Sequence, residues 1–339
     1  MLDALHTLLD RPRPWRHLHA PQPEAERHIV RTDDQVELHV RRLRPVGERR
    51  QSTPVMLLHG LAANHRGLHL RERSLAAWLA DHGYEVWLPE LRGHGDSFHG
   101  RWNWRIDDYL EHDIPALVAA IRRRSGADGI HWIGHSMGGV LLMCYGILNP
   151  DAPILRGVAV GSALDYKVGA TGFERLLRLR PLLERLVGVP YGAFMHTMAP
   201  LMGRRGLEAL QSFNVWSSNI EPEIVRALHA RCFHGMPMSL LGSLATTFEE
   251  EGLRLQSGYR FVPRASTVSF PIRLLAGSRD EQVSVDAVRH TAELIGDNAE
   301  VVVHGREGGD ADHYGHWDLL IGRRAPVETW RPLAEWLAG

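Results

Sequence analysis

The chain predicts an α/β fold with a mostly parallel sheet, helices on both faces and an inserted helical segment. Three observations carry that expectation. Short apolar runs closed by turns alternate with helix-period segments four times between residues 54 and 161. The alternation then stops over residues 165–268, where helical segments and proline breaks take its place. It resumes at Pro271. The expected organisation is an N-terminal arm over residues 1–25, a core over 26–164 and 269–339, and a helical lid over 165–268.

Each element has its own signal. Residues 1–25 are rich in Pro and Arg and read as a short helix followed by an irregular arm. The runs HIVR and VELHVRRLR, either side of Thr32-Asp33-Asp34-Gln35, alternate in and out as a hairpin does. Pro54-Val55-Met56-Leu57-Leu58-His59-Gly60 is a continuous apolar run ending in a glycine turn, the pattern of a buried parallel strand. A helix follows over residues 74–82 and is stopped by Gly83. Residues 84–89 form the next strand, and Arg92-Gly93-His94-Gly95-Asp96-Ser97 the loop after it. Ile106, Tyr109, Leu110, Ile114, Leu117, Val118 and Ile121 recur at helical spacing. Residues 129–134 read as a strand, 137–148 as a helix and 155–161 as a strand. Beyond the insertion come strands at 271–276 and 300–304, a helix near 283–295 between them and a last helix over 326–337.

Composition narrows the function. With 39 basic and 40 acidic residues the net charge is −1, which favours no polyanionic partner, so no nucleic acid is expected. Lys167 is the sole lysine, and the arginines that replace it are spread from end to end, as coding bias in a GC-rich genome would spread them. Cys144 and Cys232 stand far apart without a CxxC pair, so neither a disulfide framework nor a zinc ribbon is expected. The first residues lack the apolar core of a signal peptide, and no run approaches the roughly 20 apolar residues that span a bilayer. The expectation is a cytoplasmic protein without a membrane span, with transient lipid contact left open. Nothing in the chain specifies an oligomeric state.

The chemistry concentrates at Gly134-His135-Ser136-Met137-Gly138, which fits G-x-S-x-G between an expected strand and an expected helix. A phosphate-binding glycine loop would need G-x-x-x-x-G-K-[ST] or G-x-G-x-x-G, and neither is present. Ser136 is therefore the expected nucleophile, with Gly134 and Gly138 permitting a sharp turn around it. A serine hydroxyl needs a base, and the base an orienting acid; in the α/β-hydrolases, which this strand–turn–helix resembles, both follow the serine in the chain. Asp280, just past the strand at 271–276, is the preferred acid and Asp165 its rival. His313 and His316 both stand between the last strand and the last helix, where the base belongs. Asp310, Asp312, His313 and His316 could be grouped as metal ligands, but no HExxH or cysteine accompanies them, so neither metal nor cofactor is expected. An oxyanion needs two N–H donors: Met137, directly after the nucleophile, and Leu61, after the turn at His59-Gly60.

These residues together resemble the α/β-hydrolase superfamily. The pattern is His59-Gly60 after one strand, Arg92 to Ser97 after the next, then the GHSMGG segment, an aspartate loop and a late histidine. Within it, Ser74-Leu75-Ala76-Ala77-Trp78-Leu79-Ala80, Gly83-Tyr84-Glu85-Val86-Trp87, Trp102-Asn103-Trp104, Asp113-Ile114-Pro115-Ala116 and Tyr314-Gly315-His316-Trp317-Asp318 are similar to the acid lipase and sterol-ester lipase branch. That branch carries its catalytic histidine in an N/G-H-x-D segment, which implies His316 as the base. The implied activity is cleavage of carboxylic esters through an acyl-enzyme. An acyltransferase or thioesterase would use the same residues, and a binding protein of this fold would usually have lost one of them.

The insertion bears on the substrate. Phe173, Leu176, Leu177, Leu179, Leu182, Leu183, Leu186 and Val187 form an apolar stripe, followed by Phe194, Met195, Met198, Leu201, Met202, Phe233, Met236 and Met238. Flexible thioethers suit adaptable apolar sites, so a small-molecule ester with an apolar acyl or alcohol group, bound under a mobile lid, is the expected partner.

Overall fold

The computed structural model describes residues 25–47, 51–71, 73–169 and 187–339. The expected arm, apart from Ala25, and the stripe from Phe173 to Leu186 lie outside the described residues. Eight strands form one sheet in the order β1-β2-β4-β3-β5-β6-β9-β10. The strands are β1 (Glu26–Arg31), β2 (Glu37–Leu43), β3 (Val55–Leu58), β4 (Val86–Pro89), β5 (Ile130–His135), β6 (Ile154–Val160), β9 (Ile272–Gly277) and β10 (Ala299–His304). β1 pairs antiparallel with β2, and β2 with β4; every other pairing is parallel.

Burial explains why the parallel strands read as unbroken apolar runs. Met56 and Leu58 of β3 enter one core, and Val55 and Leu57 the other. A strand covered on both faces has no solvent side on which to place polar residues. The first core holds helices α2 (Ile114–Ser125), α3 (Met137–Leu148) and α7 (Val285–Ile295) against the sheet. The second holds α1 (Leu75–Asp81) and α8 (Arg331–Ala338). α1 begins where Ser74 accepts a hydrogen bond from the Ala77 N–H, satisfying one orphan donor of the first turn.

Two helices are entered through a π turn, and the cause is the same in both. Tyr109–Asp113 precedes α2 and Pro326–Trp330 precedes α8. Pro115 and Pro332 have no N–H to return to residues 111 and 328, and the slip in register absorbs the missing bond.

Between β6 and β9 the described part of the insertion carries α4 (Tyr191–Met198), α5 (Pro222–Arg231) and α6 (Met238–Ala245). It also contains a small antiparallel hairpin, β7 (Gly188–Val189) with β8 (Met236–Pro237), which the sequence did not predict. Two-residue strands leave no periodic pattern. What fixes them is Trp102, whose ring lies so close that a Cβ on Gly188 or Gly235 would sit 2.7 or 2.4 Å from it.

Candidate active site

β5 delivers Gly134-His135-Ser136 to the carboxyl edge of the sheet, and α3 leaves from there. Ser136 has φ 54° and ψ −122°, a conformation that costs on the order of 1–3 kcal/mol in a non-glycine residue. The surroundings hold it there. Its N–H donates to the Val160 carbonyl at 2.8 Å, and its carbonyl accepts from Gly139 N–H at 2.9 Å and from Ser162 Oγ at 2.8 Å. The flanking glycines are steric necessities. A Cβ on Gly134 would lie 2.2 Å from the Gly138 carbonyl oxygen, and one on Gly60 would lie 2.8 Å from the Ser136 Cβ. The same construction at Gly138 meets the Leu58 carbonyl at 2.5 Å.

The loops after β9 and β10 supply the other two groups. Asp280 Oδ2 is 2.8 Å from His316 Nδ1, and neither side chain is more than 1% exposed. Asp280 Oδ1 accepts the N–H groups of Gln282 and Val283 at 2.8 and 3.0 Å, which fixes the carboxylate plane. An imidazole that donates from Nδ1 keeps Nε2 as a proton acceptor. His135, next to Ser136 in the chain, packs on this pair: its ring centroid is 4.6 Å from that of His316, and its Nε2 donates to the His316 carbonyl at 3.2 Å. Burial, and then its histidine neighbours, hold His135 well below the ordinary imidazole range, so it stays uncharged beside His316.

Met137 follows Ser136 directly and Gly60, the residue before Leu61, packs against the Ser136 side chain; neither the Leu61 nor the Met137 N–H meets an acceptor among the described residues. His59 sets the direction of the first. Its Nε2 accepts from Leu91 N–H at 3.2 Å, so its Nδ1 is the donor to the Gly60 carbonyl at 2.9 Å. In a trans peptide the carbonyl and the following N–H point opposite ways, so pinning the Gly60 oxygen aims the Leu61 N–H away from His59. Burial lowers the His59 pKa to about 4, which keeps this arrangement neutral. Beyond the His-Gly pair itself, nothing in the residue pattern marks His59 for this contact.

The rival residues have other occupations. His313 lies 3.0 Å from Ser278 Oγ and 3.5 Å from Glu307, and makes no bond to Asp280. Asp165 faces His290 at 3.5 Å and accepts the Lys167 N–H. Asp310 pairs with His304, and Asp312 with Ser218, so the grouped acids and histidines face different partners. Among the described residues the His/Asp groups close enough for one cation reduce to exposed Asp33 and Asp34 with half-buried His112, none of them one of the grouped residues. Met195, Met202 and Phe233 are buried in the second core, where Phe233 stacks edge-on against Trp317, the neighbour of His316. Phe194 is 58% exposed.

Comparison with known proteins agrees with this architecture. The model of the alpha/beta hydrolase fold family matches residues 53–320. A probable lipase of Schizosaccharomyces pombe is 24% identical over 90% of this chain and 75% of its own. The mouse gastric triacylglycerol lipase is 34% identical over 48% of this chain and 46% of its own, so the shared part is under half of that protein. Among solved structures, a bacterial membrane phospholipase A superposes with TM-score 0.60 at 20% identity, over 100% of this chain and 90% of that one. An alpha/beta hydrolase of Novosphingobium aromaticivorans gives 0.58 at 21% identity, over 94% and 99%. These two likenesses concern the fold. No helix among the described residues is long and apolar enough to cross a membrane.

Proposed function

The chain belongs to the alpha/beta hydrolase fold family, and on that premise we propose that it is a serine hydrolase of carboxylic esters bearing an apolar acyl or alcohol group. Lipases and esterases among its relatives and structural neighbours support the ester-hydrolase activity. The observation that carries the reading is the buried Asp280–His316 hydrogen bond beside a strained serine at the head of α3.

In this mechanism Ser136 Oγ attacks the ester carbonyl while His316 Nε2 takes its proton. Asp280 keeps the imidazole in the required tautomer and stabilises the cation that forms. The Leu61 and Met137 N–H groups bind the oxyanion, aided by the positive end of α3. Collapse of the tetrahedral intermediate breaks the ester C–O bond, and His316 returns the proton to the leaving alcohol. Water then attacks the acyl-serine by the same route in reverse.

The test is a series of p-nitrophenyl esters of rising acyl length, with Ser136→Ala as the control. The expected outcome is a loss of about 10⁴-fold or more in kcat in the variant, with the fold intact by circular dichroism. Equal rates in wild type and Ser136→Ala on every ester would sink the reading.

A further inference from the structure

One continuous stretch of the insertion, residues 213–234, touches each of the three loops that carry the proposed catalytic groups. At the acid loop, Gln282 Nε2 donates to the Phe213 carbonyl at 2.9 Å, while the Gln282 N–H binds Asp280 Oδ1. At the histidine loop, Trp317 N–H donates to the Asn214 carbonyl at 2.8 Å. Next to it, Asp318 receives Trp216 N–H on Oδ1 at 3.0 Å and Asn219 Nδ2 on Oδ2 at 3.2 Å. At the oxyanion loop, His234 N–H donates to the Ala62 carbonyl at 2.7 Å, and Asn64 Nδ2 to the Arg231 carbonyl at 2.9 Å. Phe233 and Ala63 form an antiparallel bridge between the same two segments.

Two features mark these contacts as more than surface packing. Asp318 is fully buried, and what surrounds its carboxylate is N–H donors: Trp216, Asn219 and, from its own loop, Gly315 on both oxygens at 3.0 and 2.9 Å. Burial accordingly raises its pKa to about 7. A carboxylate placed so is costly unless every lone pair is used, and here the insertion uses half of them. Ala62, for its part, is a buried non-glycine residue at φ 52°, one position past Leu61, and its carbonyl is held by His234. The strain there is sustained from outside the loop.

We propose that residues 213–234 form a fixed brace that holds Asp280, His316 and Leu61 in working register, with Asp318, Gln282 and Asn64 as its positioning residues. The proposal rests on reading those three with Ser136 as the catalytic set. Its physical basis is that β3, β9 and β10 fix where each loop leaves the sheet, while the brace fixes where the loops end relative to one another. Misplacement of a catalytic group by about 1 Å can cost on the order of 10²-fold in rate.

The test uses Asp318→Asn, Gln282→Met and Asn64→Ala in the full chain. Diethyl p-nitrophenyl phosphate, a covalent serine reagent, counts competent Ser136 sites; kcat and KM are then taken per titrated site on p-nitrophenyl butyrate and p-nitrophenyl laurate. Asp318→Asn turns an acceptor into a donor facing three other donors, and its kcat is expected to fall about 10- to 100-fold with KM changed less than about 3-fold. Gln282→Met and Asn64→Ala are expected to lose about 3- to 10-fold, equally on both esters. Wild-type kcat per site in Gln282→Met and Asn64→Ala overturns the brace, whether or not Asp318→Asn folds. A loss confined to KM, or to one acyl length, overturns it too, since it would mean that the segment contacts substrate. If the reagent labels wild type and Ser136→Ala alike, the catalytic reading fails instead.

Discussion

Two loops at the carboxyl edge of the sheet bury a carboxylate against a base, and they use it for opposite ends. After β4, Arg92 binds Asp113 from its guanidinium and its backbone N–H, and grips Asp34 with two further N–H groups at 2.7 and 2.9 Å. After β9, Asp280 binds His316 through a single ring nitrogen. Arg92 is permanently charged and all its bonds are committed, so the first cluster bolts the β4 loop to α2 and to the β1–β2 turn. His316 can gain and lose a proton and has its second nitrogen to spare. On the proposed mechanism, the residue opposite the carboxylate is what separates a fastener from a working part.

The same substitution in the two clusters should therefore have crossed effects. Asp280→Asn is expected to lower kcat about 10⁴-fold, through the wrong imidazole tautomer, with the unfolding temperature close to wild type. A loss of less than about 10-fold would remove Asp280 from the mechanism. Asp113→Asn leaves Arg92 short of its buried counter-charge and is expected to cost about 3–5 kcal/mol in urea unfolding, while kcat per titrated site stays within about 3-fold. If Asp113→Asn instead lost turnover at full stability, the contrast between the clusters would be false.

A third measurement sharpens the comparison through pH. Burial lowers the pKa of His59, His131 and His229 to about 4, and that of His94 and His135 well below the ordinary range. Unfolding restores these rings to about 6.5, so below that pH the unfolded chain binds protons that the folded chain refuses, and stability falls as pH falls. Burial acts the other way at Asp113, raised to about 6 against the pull of Arg92, and at Asp318, raised to about 7; the fold takes up those protons first and gains stability. Five groups against two leave a net loss, so the urea midpoint is expected to drop steadily from pH 6.5 to about 4. A flat or rising midpoint over that range would contradict the neutral burial of these histidines. The smallest effect belongs to His313→Ala: with Ser278 and Glu307 as partners, it is expected to change kcat less than about 3-fold on p-nitrophenyl butyrate.

The parallel strands were legible because each is covered on both faces, and a run such as Val55–Leu58 has no polar position to blur it. The turn at Ser136 was legible because strand, turn and helix leave three adjacent signals around it. Asp280 could be chosen by its place after β9, whereas separating His316 from His313 required a family resemblance, since both stand in one loop and only one meets Asp280. The roles of His59, Gln282 and Asp318 left no comparable mark. Each meets a backbone group that almost any residue could supply, at Gly60, Phe213 and Trp216, so the identity of that partner does not announce the bond. The Met- and Phe-rich population suits an adaptable apolar site by composition, while in the structure Met195, Met202 and Phe233 are packed into the second core, because helices added to a sheet must first bury one another.

The contacts of Asp318 bear on how proteins of this shape can be recombined. A chimera that grafts a foreign insertion between β6 and β9 removes Trp216 and Asn219 and leaves the Asp318 carboxylate in the sheet-borne half, stripped of half its donors. Such a graft has to carry along residue 318, Gln282 and Asn64, which lie far outside the exchanged segment. On the proposed brace, insertion and loops are thus one structural unit written in four separate stretches of chain.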